Sequence, residues 1–392
     1  MERALVVVLN SFTHDSRVLR QVSTLAKRSQ HTRVFALHEG NLPVEEERTG
    51  YRLHRFRLLS RPLPKVKPVQ VLKYLECTLR MAWAGVRLKP DIVHAHDIQG
   101  LPIGFIVAKL TRARLVYDSH ELWSHQATAH LYAPWFFKII IGLETFLARR
   151  ADTVITVTES ISRHLQGRMK IPAPTVIRNV PAAPVSVSDG SESPLHATLG
   201  LNPSTPIVLY LGMIGRGRGL EVLIRSMQWV QPNAIAVIMG SPWGTPYLET
   251  LRTQASALGL TERVRFLPAV PPSEVNRYAT GATLGIAAIE DYCLSYRYSL
   301  ANKLFEYVHA GLPIAATDLP EMSKLIRAYN LGELFPDGNP EATARVINGM
   351  LSSPAMLARY RQNARIASKE LNWSCEERTL LNLYDRLCPT KS

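Results

Sequence analysis

The sequence predicts two doubly wound α/β domains, and three observations carry that prediction. Short β-branched runs alternate with amphipathic stretches from end to end, the pattern of parallel strands covered by helices. A chain of 392 residues is too long for one ordinary domain, and an apolar content of 46% is ample for two cores. Between two alternating series lies a stretch rich in Pro, Ser and Gly at 181–205, which reads as a linker. The expected boundaries are residues 1–180 for the first domain, 206–370 for the second and 371–392 for a closing helix that packs back on the first.

In the first series, strands are expected at 4–9, 32–36, 52–58, 91–94, 114–117, 153–157 and 175–177. Helices fill the intervals, with 15–28 and 69–87 the clearest. Asp15 suits an N-cap, because its carboxylate accepts a helix amide that has no partner within the helix. In the second series, strands are expected at 207–211, 235–239, 264–267, 284–288 and 314–317. A helix feeds the last of these: Leu304, Phe305 and Val308 form its apolar stripe, and Gly311 with Pro313 ends it. The tail is Asn372-Trp373-Ser374 and a helix running to Leu387. Sheets of this kind hold ligands at the carboxyl ends of their strands, so polar clusters there are the candidates for function.

Charge divides unevenly. Residues 1–180 hold 27 Lys and Arg against 14 Asp and Glu, a net of +13 out of +14 for the chain. From Arg52 to Lys89, ten basic residues accompany the single acid Glu76. The first half is built to face something anionic. Leu, Val, Phe, Tyr and Trp83 are mixed with those cations, which suits an anionic membrane surface. Nucleic acid is not expected, since no reading module for it is visible. The apolar stretch 131–141 leaves two readings, a further membrane contact or a helix buried in the first domain. No run reaches the roughly 20 apolar residues of a membrane span, and the nearest, 131–147, is interrupted by Lys138 and Glu144. The opening MERALVVVLNSF has an apolar run of strand length, not that of a secretion signal. Cys77, Cys293, Cys375 and Cys388 are scattered without a C-x-x-C pair, so neither zinc nor a disulfide framework is indicated, and a reducing cytosol is the expected home.

Chemistry gathers at two places in the second series. After the 207–211 strand comes GMIGRGRGLEVLIRSM, where Gly212, Gly215, Gly217 and Gly219 allow close backbone approach and a helix opening near Leu220 favours an anion. Arg216 and Arg218 bring guanidinium groups that make paired, charge-assisted hydrogen bonds to phosphate oxygens. The other place is YSLANKLFEYVHAGLPIAATDLPE, residues 298–321, with Asn302, Lys303 and Glu306 on the helix ahead of a buried strand. Their plain structural readings are a turn with solvated arginines and an amphipathic helix under a sheet.

These two segments resemble the donor site of GT-B type retaining glycosyltransferases, especially family 4 and its polysaccharide and cell-envelope members. The resemblance implies a GT-B fold, two Rossmann-like domains facing each other across a cleft. It implies transfer of a hexose-type sugar, with retention, from a UDP- or GDP-linked donor to a hydroxyl of a glycan or lipid-linked acceptor. Glu306 would then bind the donor ribose and Arg218 the diphosphate. Arg216 would stand in for an arginine the family often carries where this chain has Met213. Asn302 and Lys303 would join them on the diphosphate, with the backbone amides around Ser299 to Ala301 at the helix start. Tyr298 stands where the family commonly has a first Glu, among the donor-facing residues. The group that meets the transferred sugar is therefore open. Glu290, with Asp291 beside it, is the nearest acid, read as catalytic or as a surface loop.

In the first domain, PDIVHAHD and LVYDSHE end strands with His94, His96, Asp97, Asp118, His120 and Glu121. The resemblance gives His120 to the transferred sugar, as a catalytic residue. His96 and Asp97 are expected on the acceptor side, while His94 and His96 also fit strand-end structural roles. Arg17 reads as an acceptor contact or a solvated helix residue, and Glu159 and Asn179 as mainly structural. The His and acid groups lack H-x-x-x-H spacing, and GT-B enzymes need no bound divalent ion, so no metal is expected. No cofactor is expected beyond the nucleotide-sugar co-substrate. The expected location is cytoplasmic, peripheral at the inner face of the membrane. Two rival readings stay open: a nucleotide-sugar epimerase of the same fold, and a non-catalytic binder of polysaccharide or nucleic acid.

Overall fold

The computed structural model describes residues 1–13, 15–126, 133–182, 193–242 and 245–389. The chain forms two compact units, Met1–Asn179 together with Cys375–Ser392, and Val180–Ser374. The first unit holds an eight-stranded sheet of β1 (Arg3–Val7), β2 (His31–Leu37), β3 (Glu45–Arg48), β4 (Tyr51–Phe56), β5 (Ile92–His96), β6 (Arg114–Ser119), β7 (Thr153–Thr156) and β8 (Thr175–Val176). Their spatial order is β3-β4-β2-β1-β5-β6-β7-β8, and every neighbouring pair is parallel except β3 with β4. The sequence reading omits β3, because EEER shows no apolar alternation. It is an edge strand held by β4 and by the pairs Arg52–Glu47 and Arg55–Glu46, and its charges guard that edge against further pairing.

The strand order reverses between β1 and β5. Right-handed crossovers then place helix Ser16–Arg28 on one face of the sheet and helices Lys67–Leu88, Asp97–Thr111, Pro134–Ala148 and Glu159–Met169 on the other. Asp15 caps the first of these helices, accepting from the Val18 amide at 3.1 Å. The last helix of the chain, Trp373–Leu387, joins the same face through Glu377, which accepts from Thr24 and Lys27 at 2.9 and 2.8 Å. Lys67–Leu88 begins two residues ahead of expectation, because Pro68 fits a first helical turn, where no amide is needed. Helix Pro134–Ala148 is not the buried helix that one reading of 131–141 expects, since Trp135, Ile139, Leu143 and Phe146 lie exposed on it. Residues 131 and 132 of that stretch lie outside the described residues.

The second unit holds six parallel strands, β9 (Ile207–Leu211), β10 (Ile235–Met239), β11 (Val264–Leu267), β12 (Leu284–Ala287), β13 (Ile314–Thr317) and β14 (Gly332–Phe335). Their order is β11-β10-β9-β12-β13-β14. The sequence reading omits β14, a short GELF run that pairs with β13. Every residue of β9, β12 and β13 is buried, as in a sheet covered on both faces. Here the order reverses between β9 and β12, which share only the pairs Val208 with Leu284 and Leu209 with Gly285. Beyond them the strands part around Tyr307. Its hydroxyl lies 2.9 and 3.0 Å from the carbonyl oxygens of Leu209 and Ile286, and it accepts from the Leu211 amide at 3.0 Å. Gly285 makes this possible, since a Cβ there would stand 2.5 Å from the Tyr307 ring.

The stretch expected as a linker is not loop throughout. It includes helix Pro194–Leu199, capped by Ser193 and ended by Gly200, with Leu195 buried. Pro194 there starts a helix rather than breaking one. Residues 183–192 of the linker lie outside the described residues. Among the described residues no helix is long and apolar enough to cross a membrane.

Candidate functional site

Each sheet reverses its strand order once, and the carboxyl edge at a reversal is where an α/β sheet opens to a ligand. In the second unit that edge is the Gly-rich turn after β9 and the loop after β12. Gly219 has φ of 70°, and a Cβ on it would stand 1.7 Å from the Ala288 carbonyl oxygen, so no other residue lets the turn lie against the β12 loop. Gly217 accepts the Glu290 amide at 3.1 Å, tying the two loops together. Arg216 is exposed, and Arg218 is half-buried with its guanidinium 4.7 Å from the Tyr296 ring centre. The following helix, Leu220–Ser226, opens where the sequence places it and has seven residues.

Lys303 lies beneath the turn, its Cε 3.8 Å from where a Cβ on Gly212 would stand. The side chain is buried, 8% exposed, and its ammonium lies 3.4 Å from the centre of the Tyr210 ring. Among the described residues it donates no hydrogen bond. Burial, and then Arg218, holds its pKa well below the usual lysine value. A buried ammonium with an aromatic face and no oxygen partner is costly to keep unless an anion completes it. Glu306, half-buried, lies three residues on along helix Asn302–His309 and so shares the face of Lys303. Asn302 opens that helix and is exposed, and Ala301 ahead of it has no side chain with which to cap the first turn.

Around this centre the other expected residues take varied places. Ser299 donates both its hydroxyl and its amide to the Tyr296 carbonyl oxygen, at 2.8 and 3.0 Å. That amide is therefore committed to ending the short helix Leu294–Arg297 and is not turned to a ligand, which corrects the expected role of the Ser299 backbone. Tyr298, half-buried, closes the same helix with its amide on Leu294. Glu290 is half-buried, and burial followed by Glu221 and Asp337 pushes its carboxyl up. Asp291 is paired with Arg297 at 2.8 Å.

In the first unit, β5 and β6 bring His96 opposite Asp118. His94 and His96, two apart on one strand, stack at 4.4 Å with 9° between their planes. Asp118 is fully buried and accepts from Arg17 at 2.8 and 3.1 Å and from Gln21 at 2.7 Å. Arg17 also donates to the Ile177 carbonyl at 2.6 Å and is 3% exposed. It is thus no solvated helix residue, and its guanidinium anchors Asp118. His94 bonds the Tyr384 hydroxyl of the last helix at 2.7 Å. His120 joins from the other side: its Nε2 is 3.0 Å from His96 Nδ1, and its Nδ1 is 3.3 Å from Asp97.

The charges settle consistently. Burial opposes a proton on His120, but Asp97 and Asp118 outweigh it and raise its pKa to about 9. Burial, then His94 and His120, pushes His96 well below the usual histidine value. At neutral pH one proton therefore resides on His120, whose Nε2–H donates to neutral His96. Burial works against charge on Asp118 too, yet Arg17 and His120 keep it well below the carboxylate range. Phe12, after β1, and Asp97, after β5, have left-handed φ of 54° and 57° beyond the carboxyl ends of the two strands that flank the reversal. Such backbone strain, about 1–3 kcal/mol each, gathers at ligand sites. His94, His96 and Asp118 also hold ligand atoms within 4.8 Å of one another. Arg17 already sets a fixed positive charge on that carboxylate, which works against a cation there.

Residues 192–367 match the family model of glycosyl transferases group 1, and residues 14–181 match that of a glycosyl transferase 4-like domain. The D-inositol 3-phosphate glycosyltransferase of Nocardia farcinica is 25% identical over 383 residues, covering 94% of this chain and 83% of that protein. Among solved structures, sucrose-phosphate synthase from Thermosynechococcus elongatus superposes with a TM-score of 0.80 at 19% identity over the whole of both chains. Anabaena Alr3699/HepE in complex with UDP-glucose gives 0.75 at 17% identity, over 98% of this chain and all of that one. The architecture shared with these structures is the GT-B fold.

Proposed function

We propose, for a chain that belongs to the group 1 glycosyltransferases and depends on a nucleotide-sugar donor, that the second unit holds that donor by its diphosphate on Lys303 and Arg218. The buried Lys303 side chain, without a hydrogen-bond partner among the described residues and beneath the Gly-rich turn, is the observation that carries this reading. Arg216, exposed at the rim, assists. Glu306 accepts from the ribose hydroxyls. The Anabaena neighbour is described with UDP-glucose, which favours uridine over guanosine as the base. The transferred group is a hexose, and the acceptor is a hydroxyl of a glycan or lipid-linked glycan at the cytoplasmic face of a membrane.

His120, protonated at neutral pH and held by His96 and Asp97, sets a positive charge beside the transferred sugar. Asp97, whose side chain is 41% exposed, is the acceptor-side group most open to a ligand, and His96 acts through His120. Glu290 is the second acid near the sugar. The acceptor oxygen bonds to the anomeric carbon as the bond to the diphosphate oxygen breaks, and the acceptor proton passes to that departing oxygen. Negative charge grows on the diphosphate during this step, and Lys303 with Arg218 stabilises it there. Attack on the face that the leaving group quits retains configuration without a covalent intermediate.

A panel of nucleotide sugars tests the reading. Release of nucleoside diphosphate that rises with membrane lipid extract is the expected result. Formation of a new nucleotide sugar would instead identify an epimerase, and binding without turnover a non-catalytic protein.

A further inference from the structure

Two helices on one face of the first unit's sheet carry apolar side chains outward. On Lys67–Leu88 these are Leu72, Leu75, Leu79 and Trp83, 52%, 51%, 68% and 60% exposed, at the intervals of a single helix face. On Pro134–Ala148 they are Trp135, Ile139, Leu143 and Phe146, 67%, 58%, 45% and 48% exposed. Both helices have a separate buried side, Cys77, Met81 and Gly85 on one and Glu144 and Leu147 on the other, so the outward stripes belong to no core. Both also pack against helix Asp97–Thr111, which places the stripes on one outer layer.

Each stripe ends in an aromatic ring topped by an arginine four residues on. The Arg87 guanidinium lies 3.3 Å from the Trp83 ring centre, and that of Arg150 lies 3.5 Å from Phe146. An apolar ring beneath a cation matches the border between hydrocarbon and headgroup. The loop ahead of the first stripe repeats the mixture, with Leu59, Leu63 and Val66 exposed among exposed Arg57, Arg61 and Lys65. That loop follows β4, so it stands at the carboxyl edge of the sheet, the edge of Asp97 and His120.

The flanking charge has one sign. Glu76, the single acid from Arg52 to Lys89, is turned onto the amides of Leu59 and Ser60 and onto Arg80. A second copy of this chain would bring like charge against like, whereas an anionic lipid surface is complementary. We infer that this two-helix face seats in the headgroup boundary of an anionic bilayer, the stripes in shallow hydrocarbon and the cations on lipid phosphates. The inference rests on the glycosyltransferase reading for its purpose, which is to bring the first unit's carboxyl edge to a lipid-linked acceptor.

Co-sedimentation of the full chain tests it, using phosphatidylcholine vesicles with and without phosphatidylglycerol, with nucleotide-sugar binding and melting temperature measured in parallel. The chain should bind the anionic vesicles and retain part of that binding in high salt, as apolar insertion requires. Leu79→Glu with Phe146→Glu should weaken vesicle binding by about tenfold or more, and leave donor binding and melting unchanged. If that pair lowers the melting temperature, Leu79→Ser with Phe146→Ser is read in its place. Absence of vesicle binding by the parent, parental binding by the variants, or a parent dimer that the variants dissociate would each overturn the inference. Vesicle binding by a parent that binds no nucleotide sugar would instead overturn the functional reading.

Discussion

The two carboxyl-edge sites differ in how fully their charges are paired. In the first unit, Asp118 is saturated: Arg17 and Gln21 bond it, and His94 and His120 stand 3.6 Å away. In the second unit, Lys303 has an aromatic ring and, among the described residues, no hydrogen bond. A buried carboxylate engaged on all sides fixes geometry, and removing it leaves its partners stranded. A buried amine with no oxygen partner resists its charge and gains from an anionic ligand. The first unit thus holds a shaped, charged imidazole, and the second holds a receptor for diphosphate.

Substitutions should separate the two kinds of site. The largest effect is expected from Asp118→Asn, which leaves Arg17 buried without its carboxylate. Loss of stability of about 3–5 kcal/mol is the outcome for a broken buried pair, read from denaturant unfolding. Lys303→Met should act in the opposite sense, keeping or raising the melting temperature while donor affinity falls about 10- to 100-fold, the worth of a charge-assisted hydrogen bond. A destabilised Lys303→Met chain would show that this lysine is structural and erase the contrast.

A smaller effect should come from Asp97→Asn, through His120. Its folded pKa, about 9, stands above the ordinary 6.5, so its contribution is full below about 6.5 and is lost as pH rises through about 9. The variant should lower the His120 pKa. Its stability deficit against the parent should be widest just below about pH 6.5, where His120 is charged and Asp97 still ionised, and close above about pH 9. Imidazole proton resonances followed by NMR across that range report the shift. Tyr384→Phe should be mildest, costing about 1 kcal/mol for one buried hydrogen bond, measured as a small fall in melting temperature.

Much of the second-unit site was legible in the sequence because its parts are local. The Gly-rich turn and the helix bearing Lys303 and Glu306 are each read within a few residues. Tyr210 and Tyr307 were not, since a tyrosine in a buried strand or helix looks like core until its ring meets an ammonium or its hydroxyl fills a parted sheet. The first-unit cluster was half legible. The histidines and acids at the ends of β5 and β6 stood out, but Tyr384 lies 290 residues from His94, and no local pattern joins them. Arg17 shows the same limit, because its partner is 101 residues away and its burial could not be read from an exposed-looking helix start. Edge strand β3 and helix Pro194–Leu199 escaped because charge in one, and Pro and Ser around the other, hid elements that tertiary pairing and capping secure.

Proton uptake on donor binding tests the central claim most directly. A nucleotide sugar, whose diphosphate is a diester, does not itself titrate near neutral pH, so calorimetry in buffers of different ionisation enthalpy counts protons taken by the protein. Lys303, held well below its usual pKa when alone, should be driven to its charged form by the diphosphate. Affinity should therefore weaken as pH rises through the range in which free Lys303 loses its proton, with proton uptake on binding there that vanishes in Lys303→Met. Binding with no uptake at any pH, or with the same uptake in the variant, would contradict the assignment of the diphosphate to Lys303.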